Sequence, residues 1–270
     1  MKHLVSIDGV EKYFYTGEQP ILILCSDEKK YICKYIHSQG SREKLICEYL
    51  SWSFADLMQI NTPSYAFVKF KVEHAPFNAK IGHIQTTSIG SQQIPNVIDV
   101  VPTTYKYIKP TTSLLNDFLK IAYFDLLTSN EDRNSNNANL LYNISEEEII
   151  AIDFGCTFNT ATFDMPLSLL TTNETILNSD LFRHISSRYK ESTVLREAEN
   201  VVQEMSSTII LVNQNAKAII ESIPQDWNPD LELVKAKVQE LLKNLRTSLE
   251  RSVKSFLQLL QFHDKLTCLH

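Results

Sequence analysis

The sequence predicts an α+β protein of two lobes, a small β-rich lobe followed by a larger helical one. Three observations carry that reading. The first hundred residues hold short β-prone runs broken by turn-forming clusters. From Leu114 onward the apolar residues recur at helical spacing. One apolar hairpin, framed by Asp132 and Asp153, interrupts the helices.

Taken in order, Tyr13-Phe14-Tyr15, Ile21-Leu22-Ile23-Leu24 and Tyr31-Ile32-Cys33-Lys34-Tyr35-Ile36 read as strands. Gly17-Glu18-Gln19-Pro20 and Ser26-Asp27-Glu28-Lys29 separate them, and both are turn compositions. A helix is expected from about Arg42 to Met58, closed by Asn61-Thr62-Pro63. Strand-like runs return near Tyr65–Val72 and Ile81–Thr86. The stretch from Ile89-Gly90-Ser91 to Pro110 is rich in turn formers and predicts irregular chain, so the lobe junction is placed there. Residues 1–91 then form the β-rich lobe with one helix, and residues 92–270 the helical lobe with the hairpin.

In the second lobe, Leu115, Phe118, Leu119, Ala122 and Leu126 share one helical face between Leu114 and Leu127. Asn228-Pro229-Asp230 joins a capping side chain, proline at the first helical position and an acid in the first turn. Val234, Val238, Leu241, Leu245 and Leu249 then mark one apolar stripe, read as core beside a solvated face.

With 270 residues, 43% of them hydrophobic, the chain is long enough for a substantial core. A net charge of −6 argues against nucleic acid or an anionic membrane as partner, because neutralising phosphates takes clustered Lys and Arg. No basic-then-apolar leader and no apolar run of about 20 residues is present, so the expected location is cytoplasmic. Five cysteines without a C-x-x-C pair read as reduced thiols, and seven scattered histidines offer no zinc spacing. There is no G-x-S-x-G, Walker A or dinucleotide-binding fingerprint.

Chemistry concentrates in a few residues. On the third strand candidate, alternation puts Tyr31, Cys33 and Tyr35 on one face and Lys34 on the other with Ile32 and Ile36. An ammonium on an apolar face needs an anion. Glu48 is the natural partner, since it aligns with Leu45 and Trp52 on the apolar stripe of its helix; Glu43, beside Arg42 and Lys44, is the competing choice. In the hairpin, Asp132 is followed five residues later by Asn137, and 21 residues later by Asp153-Phe154-Gly155 at the end of an isoleucine-rich strand. This is the order of parts in protein kinases: a catalytic-loop aspartate, a metal-binding asparagine, a hairpin and an Asp-Phe-Gly metal site. Asp132 reads as the catalytic base, with Asn137 and Asp153 as oxygen ligands for Mg²⁺. Asn136 and Asn139 stay open as alternatives, and Arg133 either binds a phosphate or pairs with Asp125. Gly17 marks the expected phosphate-covering turn, a short one that also carries Glu18.

At these residues the chain resembles the HipA-like serine/threonine kinases, in the compact form without an extra N-terminal subdomain. The resemblance runs through Tyr31-Ile32-Cys33-Lys34-Tyr35, Cys47-Glu48-Tyr49-Leu50, Ile60-Asn61-Thr62-Pro63 and Ile89-Gly90-Ser91. Its most specific part is Ala122-Tyr123-Phe124-Asp125, then Asn130-Glu131-Asp132-Arg133 and Asn137-Ala138-Asn139-Leu140-Leu141. Ile223-Pro224-Gln225-Asp226-Trp227 is similar to the family's C-terminal part. The resemblance implies a two-lobed protein-kinase-like fold, with ATP and Mg²⁺ as cofactors and transfer to a protein Ser/Thr hydroxyl. Lys34, Glu48, Gly17, Asn137 and Asp153 would bind the nucleotide and metal, and Asp132 would act as base. It further implies a toxin of a toxin–antitoxin pair and a separate antitoxin or regulatory chain. A small-molecule phosphotransferase and a nucleotide-binding pseudokinase are the alternatives; the short glycine-poor turn supports the latter.

Overall fold

Strands β1 (Lys2–Val5), β2 (Lys12–Tyr13), β3 (Ile21–Leu24), β4 (Lys30–Lys34), β5 (Tyr65–Lys69) and β6 (Ser88–Gln92) build the sheet of the N-terminal region. The computed structural model describes residues 1–37, 41–76, 85–227 and 231–267, with backbone alone at 41, 231, 244–250 and 261–267. The sheet order is β1-β5-β6-β4-β3-β2. The three expected strands form the antiparallel run β2-β3-β4, with Ile21 opposite Cys33, but the first is shifted: β2 covers Lys12–Tyr13 and leaves Phe14 and Tyr15 outside it. Sequence reading missed β1, which adds parallel to β5 with His3 opposite Phe67.

The expectation of irregular chain from Ile89 is corrected. Ile89-Gly90-Ser91 lies in β6, paired on both sides, with Gly90 opposite Ala66 and Cys33. Glycine is there for space and not for a turn. A Cβ at Gly90 would come within 3.0 Å of Cys33 Sγ and Val68 Cγ2. The same stretch also yields β7 (Val97–Asp99) and a 3-10 turn over Pro102–Tyr107. Of the run expected near Ile81–Thr86, residues 81–84 lie outside the described residues.

Strand alternation sorts the sheet's two faces. Tyr31, Cys33, Tyr35, Ile21, Ile23, Ala66, Val68 and Phe70 form one buried cluster. Tyr65, Phe67 and Ile89 point the other way and join the main core with helix α1 (Ser41–Leu57). Lys34 pairs with Ile89 across the ladder, so it leaves the sheet on the α1 side.

Strands β8 (Leu140–Asn143) and β9 (Glu148–Ala151) form the expected hairpin and take β7 into a separate three-stranded sheet. Helix α2 (Thr112–Thr128) starts where Thr111 Oγ1 accepts the Leu114 N–H at 3.1 Å. It is buried on nearly every side from Leu114 to Thr128, the mark of a central helix. Around it stand α3 (Asp180–Ser186), α4 (Glu191–Glu221) and α5 (Leu231–Thr267). The expected start of α5 at Asn228-Pro229-Asp230 lies outside the described residues, as do the Leu245 and Leu249 side chains. Val234, Val238 and Leu241 are buried in the core. Among the described residues, no helix is long and apolar enough to cross a membrane. The four described cysteines, Cys25, Cys33, Cys47 and Cys156, are free thiols.

The two regions are joined by more than the connecting chain. Trp227, fully buried, lies against Tyr49 and Phe67 and donates its indole N–H to the Thr87 carbonyl at 2.6 Å. Asp226 accepts from the Thr87 backbone and hydroxyl, both at 2.9 Å. From α1, the Tyr49 hydroxyl donates to the Ile219 carbonyl on α4 at 2.8 Å.

Candidate active site

The candidate site lies where β4, α1 and the turn after β9 meet. Lys34 places its ammonium among three carboxylates. It forms a close ion pair with Glu48, and meets Asp153 Oδ1 at 2.7 Å and Glu18 Oε2 at 2.9 Å. Glu48, with its side chain 2% exposed, is therefore the acid on α1 that faces the strand lysine. It also accepts the Phe154 N–H at 3.0 Å. Burial pushes the Glu48 carboxyl up to about 7, against the pull of Lys34. Burial works in the same direction on Asp153, but Lys34 and its hydrogen bonds outweigh it and hold that carboxyl down at about 2. Lys34 itself is drawn well above its ordinary value: burial opposes the charge, and Asp153, Glu48 and Glu18 overcome it.

Asp153, two residues past the end of β9, has a φ of 59°, a left-handed conformation that aspartate tolerates better than most residues. That turn aims its carboxylate back at Lys34, while Phe154 packs inward and is fully buried. Behind it, Arg133 is wholly buried and acts as a strut. Its Nε lies 2.9 Å from Asp125 Oδ2, and its Nη1 donates to the carbonyls of Asn139 and, at 3.0 Å, Ile152. Its guanidinium also sits 4.9 Å from the centre of the Phe154 ring. The pairing with Asp125 is thus the one the structure makes. Burial raises the Asp125 carboxyl to about 6 even so, with Arg133 and Asn130 pulling the other way.

Asp132 sits half-buried at the tip of the adjoining loop. Asn137 Nδ2 and Asn139 Nδ2 both donate to its Oδ2, at 3.2 and 3.0 Å. Asn139 takes part through a left-handed backbone, φ 46°, whose carbonyl also accepts the Ile152 N–H at 3.1 Å. Burial raises the Cys156 thiol to about 11, with the charges of Asp132, Asp153 and Glu18 adding and Lys44 opposing.

Gly17 stands in open space, with nothing within 4 Å of a Cβ built on it. Its neighbour Glu18 turns inward and meets Lys44 Nζ at 3.2 Å as well as Lys34. Sequence reasoning missed the roles of Glu18 and Lys44 here. Lys44 follows Glu43 on the polar side of α1, and a helical wheel shows nothing of the turn that folds over it.

A strand lysine paired with a helix glutamate, beside a hairpin that presents two aspartates, defines a kinase-fold protein. A family model for HipA-like kinases matches residues 10–259, and the chain belongs to that family of phosphotransferases. Among solved structures, the proinflammatory kinase CtkA of Helicobacter pylori matches with a TM-score of 0.60 and 12% identity. The match covers 94% of this chain and 98% of that one, and at such identity it shows the fold. The Golgi casein kinase matches with a TM-score of 0.38 and 10% identity, over 97% of this chain and 72% of that one. Its form with Mn/ADP bound matches with the same TM-score, 0.38, and 10% identity, over 96% and 73%. No curated protein matches the chain.

Proposed function

We propose that this kinase transfers the γ-phosphoryl group of ATP to a serine or threonine hydroxyl of a protein, with Mg²⁺. The observation that carries the reading is the Lys34 ammonium held between Glu48 and Asp153; Asp132, on the loop before the same hairpin, is oriented by Asn137 and Asn139. Lys34 binds the nucleotide phosphates, and Glu48 fixes its direction. Asp132 orients the acceptor hydroxyl and takes its proton as the oxygen–phosphorus bond forms and the bond to ADP breaks. Its half-buried position at a loop tip leaves the carboxylate within reach of an incoming chain.

The side chains fit a hard divalent cation. Asn137 spends an amide N–H on Asp132, which leaves its amide oxygen for a metal, and Asp153 adds a carboxylate. When bound, the cation neutralises charge on the phosphates. Asn137 and Asp153 would hold it, and the Asn137 amide would keep Asp132 oriented at the same time.

The proposal extends to a cytoplasmic growth-controlling toxin restrained by a separate antitoxin chain, which the family resemblance supports. Growth of a host expressing the wild type, compared with Asp132→Asn, tests that part.

For the chemistry, labelled ATP and a panel of protein acceptors provide the assay. Asp132→Asn should lower turnover by about 10²- to 10⁴-fold while nucleotide affinity stays within about twofold. Asp153→Asn should also weaken metal-dependent nucleotide binding. An unchanged rate in Asp132→Asn removes the base from the mechanism, and binding without any transfer by the wild type makes the protein a pseudokinase.

A further inference from the structure

The Gly17 turn sends its one acid inward. Glu18 lies between β2 and β3, yet its side chain is only 21% exposed. One carboxylate oxygen meets Lys34 Nζ at 2.9 Å, and the other meets Lys44 Nζ at 3.2 Å. The group also reaches the Asp-Phe-Gly turn, because Glu18 Oε1 lies 3.0 Å from where a Cβ on Gly155 would stand. A turn glutamate in water gains little from an ion pair. Here two lysines from separate elements, β4 and α1, hold a single carboxylate against the Asp-Phe-Gly turn.

The charges explain what such a clamp suits. Glu18, Glu48 and Asp153 each offer a carboxylate oxygen within 4.8 Å of the others, and Lys34 meets all three. Glu48 and Asp153 are fixed by further bonds to the Phe154 and Gly155 backbone. Glu18 alone among the three comes from the turn above. Two ammonium groups that share one anion repel each other unless an anion stays between them. A ligand group that takes the place of Glu18 between these two cations is favoured if it is anionic and can meet both, as a phosphate is.

We propose that Lys44 is a second phosphate-binding residue, and that Glu18 is the resident occupant of the Lys34–Lys44 cradle until nucleotide phosphates displace it. The inference rests on the ATP reading above. Nucleotide affinity is then lowered by the fraction of molecules in which Glu18 fills the cradle. Adenosine, without phosphates, does not compete with Glu18.

Calorimetric titration of MgADP and of adenosine into the wild type, Glu18→Gln, Glu18→Ser and Glu18→Gln/Lys44→Met tests this. Both single variants should bind MgADP about five- to tenfold more tightly than the wild type, with adenosine affinity unchanged. Adding Lys44→Met to Glu18→Gln should reverse most of that gain. If the wild type binds MgADP and the Glu18 variants match it within about twofold, the proposal falls and the kinase reading stands. An equal gain for adenosine also overturns it, since the effect would not be on the phosphates. Absence of MgADP binding in every protein overturns the nucleotide reading and this inference together.

Discussion

Glu48 accepts the backbone N–H of Phe154 at 3.0 Å while it pairs with Lys34, so one carboxylate of α1 holds both the strand lysine and the Asp-Phe-Gly turn. Because Glu48 is buried, its protonation is coupled to folding. Stability is therefore sensitive to pH through an acid almost closed off from solvent.

The sign follows from the direction of the shift. Burial raises the Glu48 carboxyl from 4.5 to about 7, so its contribution to stability is complete below 4.5 and is lost as pH rises through 7. Asp153 is held down from 3.8 to about 2, so its contribution is present above 3.8 and is lost as pH falls toward 2. Thermal melts of the wild type and Glu48→Gln across this range should show the wild type losing ground to the variant as pH climbs from 4.5 to 7. A difference in Tm that does not change with pH contradicts the coupling.

Arg133 is the strut behind both loops. Arg133→Met leaves Asp125 buried without its cation, which should cost about 3–5 kcal/mol in denaturant unfolding. Replacing Asp125 with leucine in the same chain should restore a large part of the loss. A single-variant cost below about 1 kcal/mol would show that the pair does not hold the hairpin.

Gly90 is packed from both neighbouring strands. Gly90→Ala forces a methyl into space shared by Cys33 Sγ and Val68 Cγ2, each 3.0 Å away. Overpacking of this kind should destabilise by about 1–3 kcal/mol. Chemical denaturation measures it, and an alanine variant as stable as the wild type would mean that the strands separate freely.

Asn139 shares Asp132 Oδ2 with Asn137, at 3.0 and 3.2 Å, and is tied through its own carbonyl to Ile152. On the proposed mechanism it is a positioning residue. Asn139→Ala should lower kcat by roughly ten- to a hundredfold with little change in KM, because only the orientation of the base is disturbed. A rise in KM at constant kcat would instead put Asn139 in substrate binding.

Much of this was readable before any coordinates. Lys34 and Glu48 were found because alternation and helical period placed a charge on an apolar face, and buried charges need partners. Asp153 stood out because an isoleucine-rich strand ends on it. What stayed hidden depended on contacts distant in sequence. Gly90 and Ser91 look like turn formers, and only the nearness of Cys33 and Val68 makes glycine a strand residue there. β1 was missed because a short parallel edge strand has no hairpin partner to announce it. Glu18 read as an obstacle in a solvated turn, since nothing local shows that Lys44 lies beneath it. Arg133 kept two readings until the structure placed Asp125 beside it.

Trp227 sits sealed between Tyr49 and Phe67, and Tyr49 grips the last turns of α4 through Ile219. Fastened in this way, the sheet and the helices share one aromatic seam, so that a substitution at Phe67 or at Trp227 is felt on both sides of it.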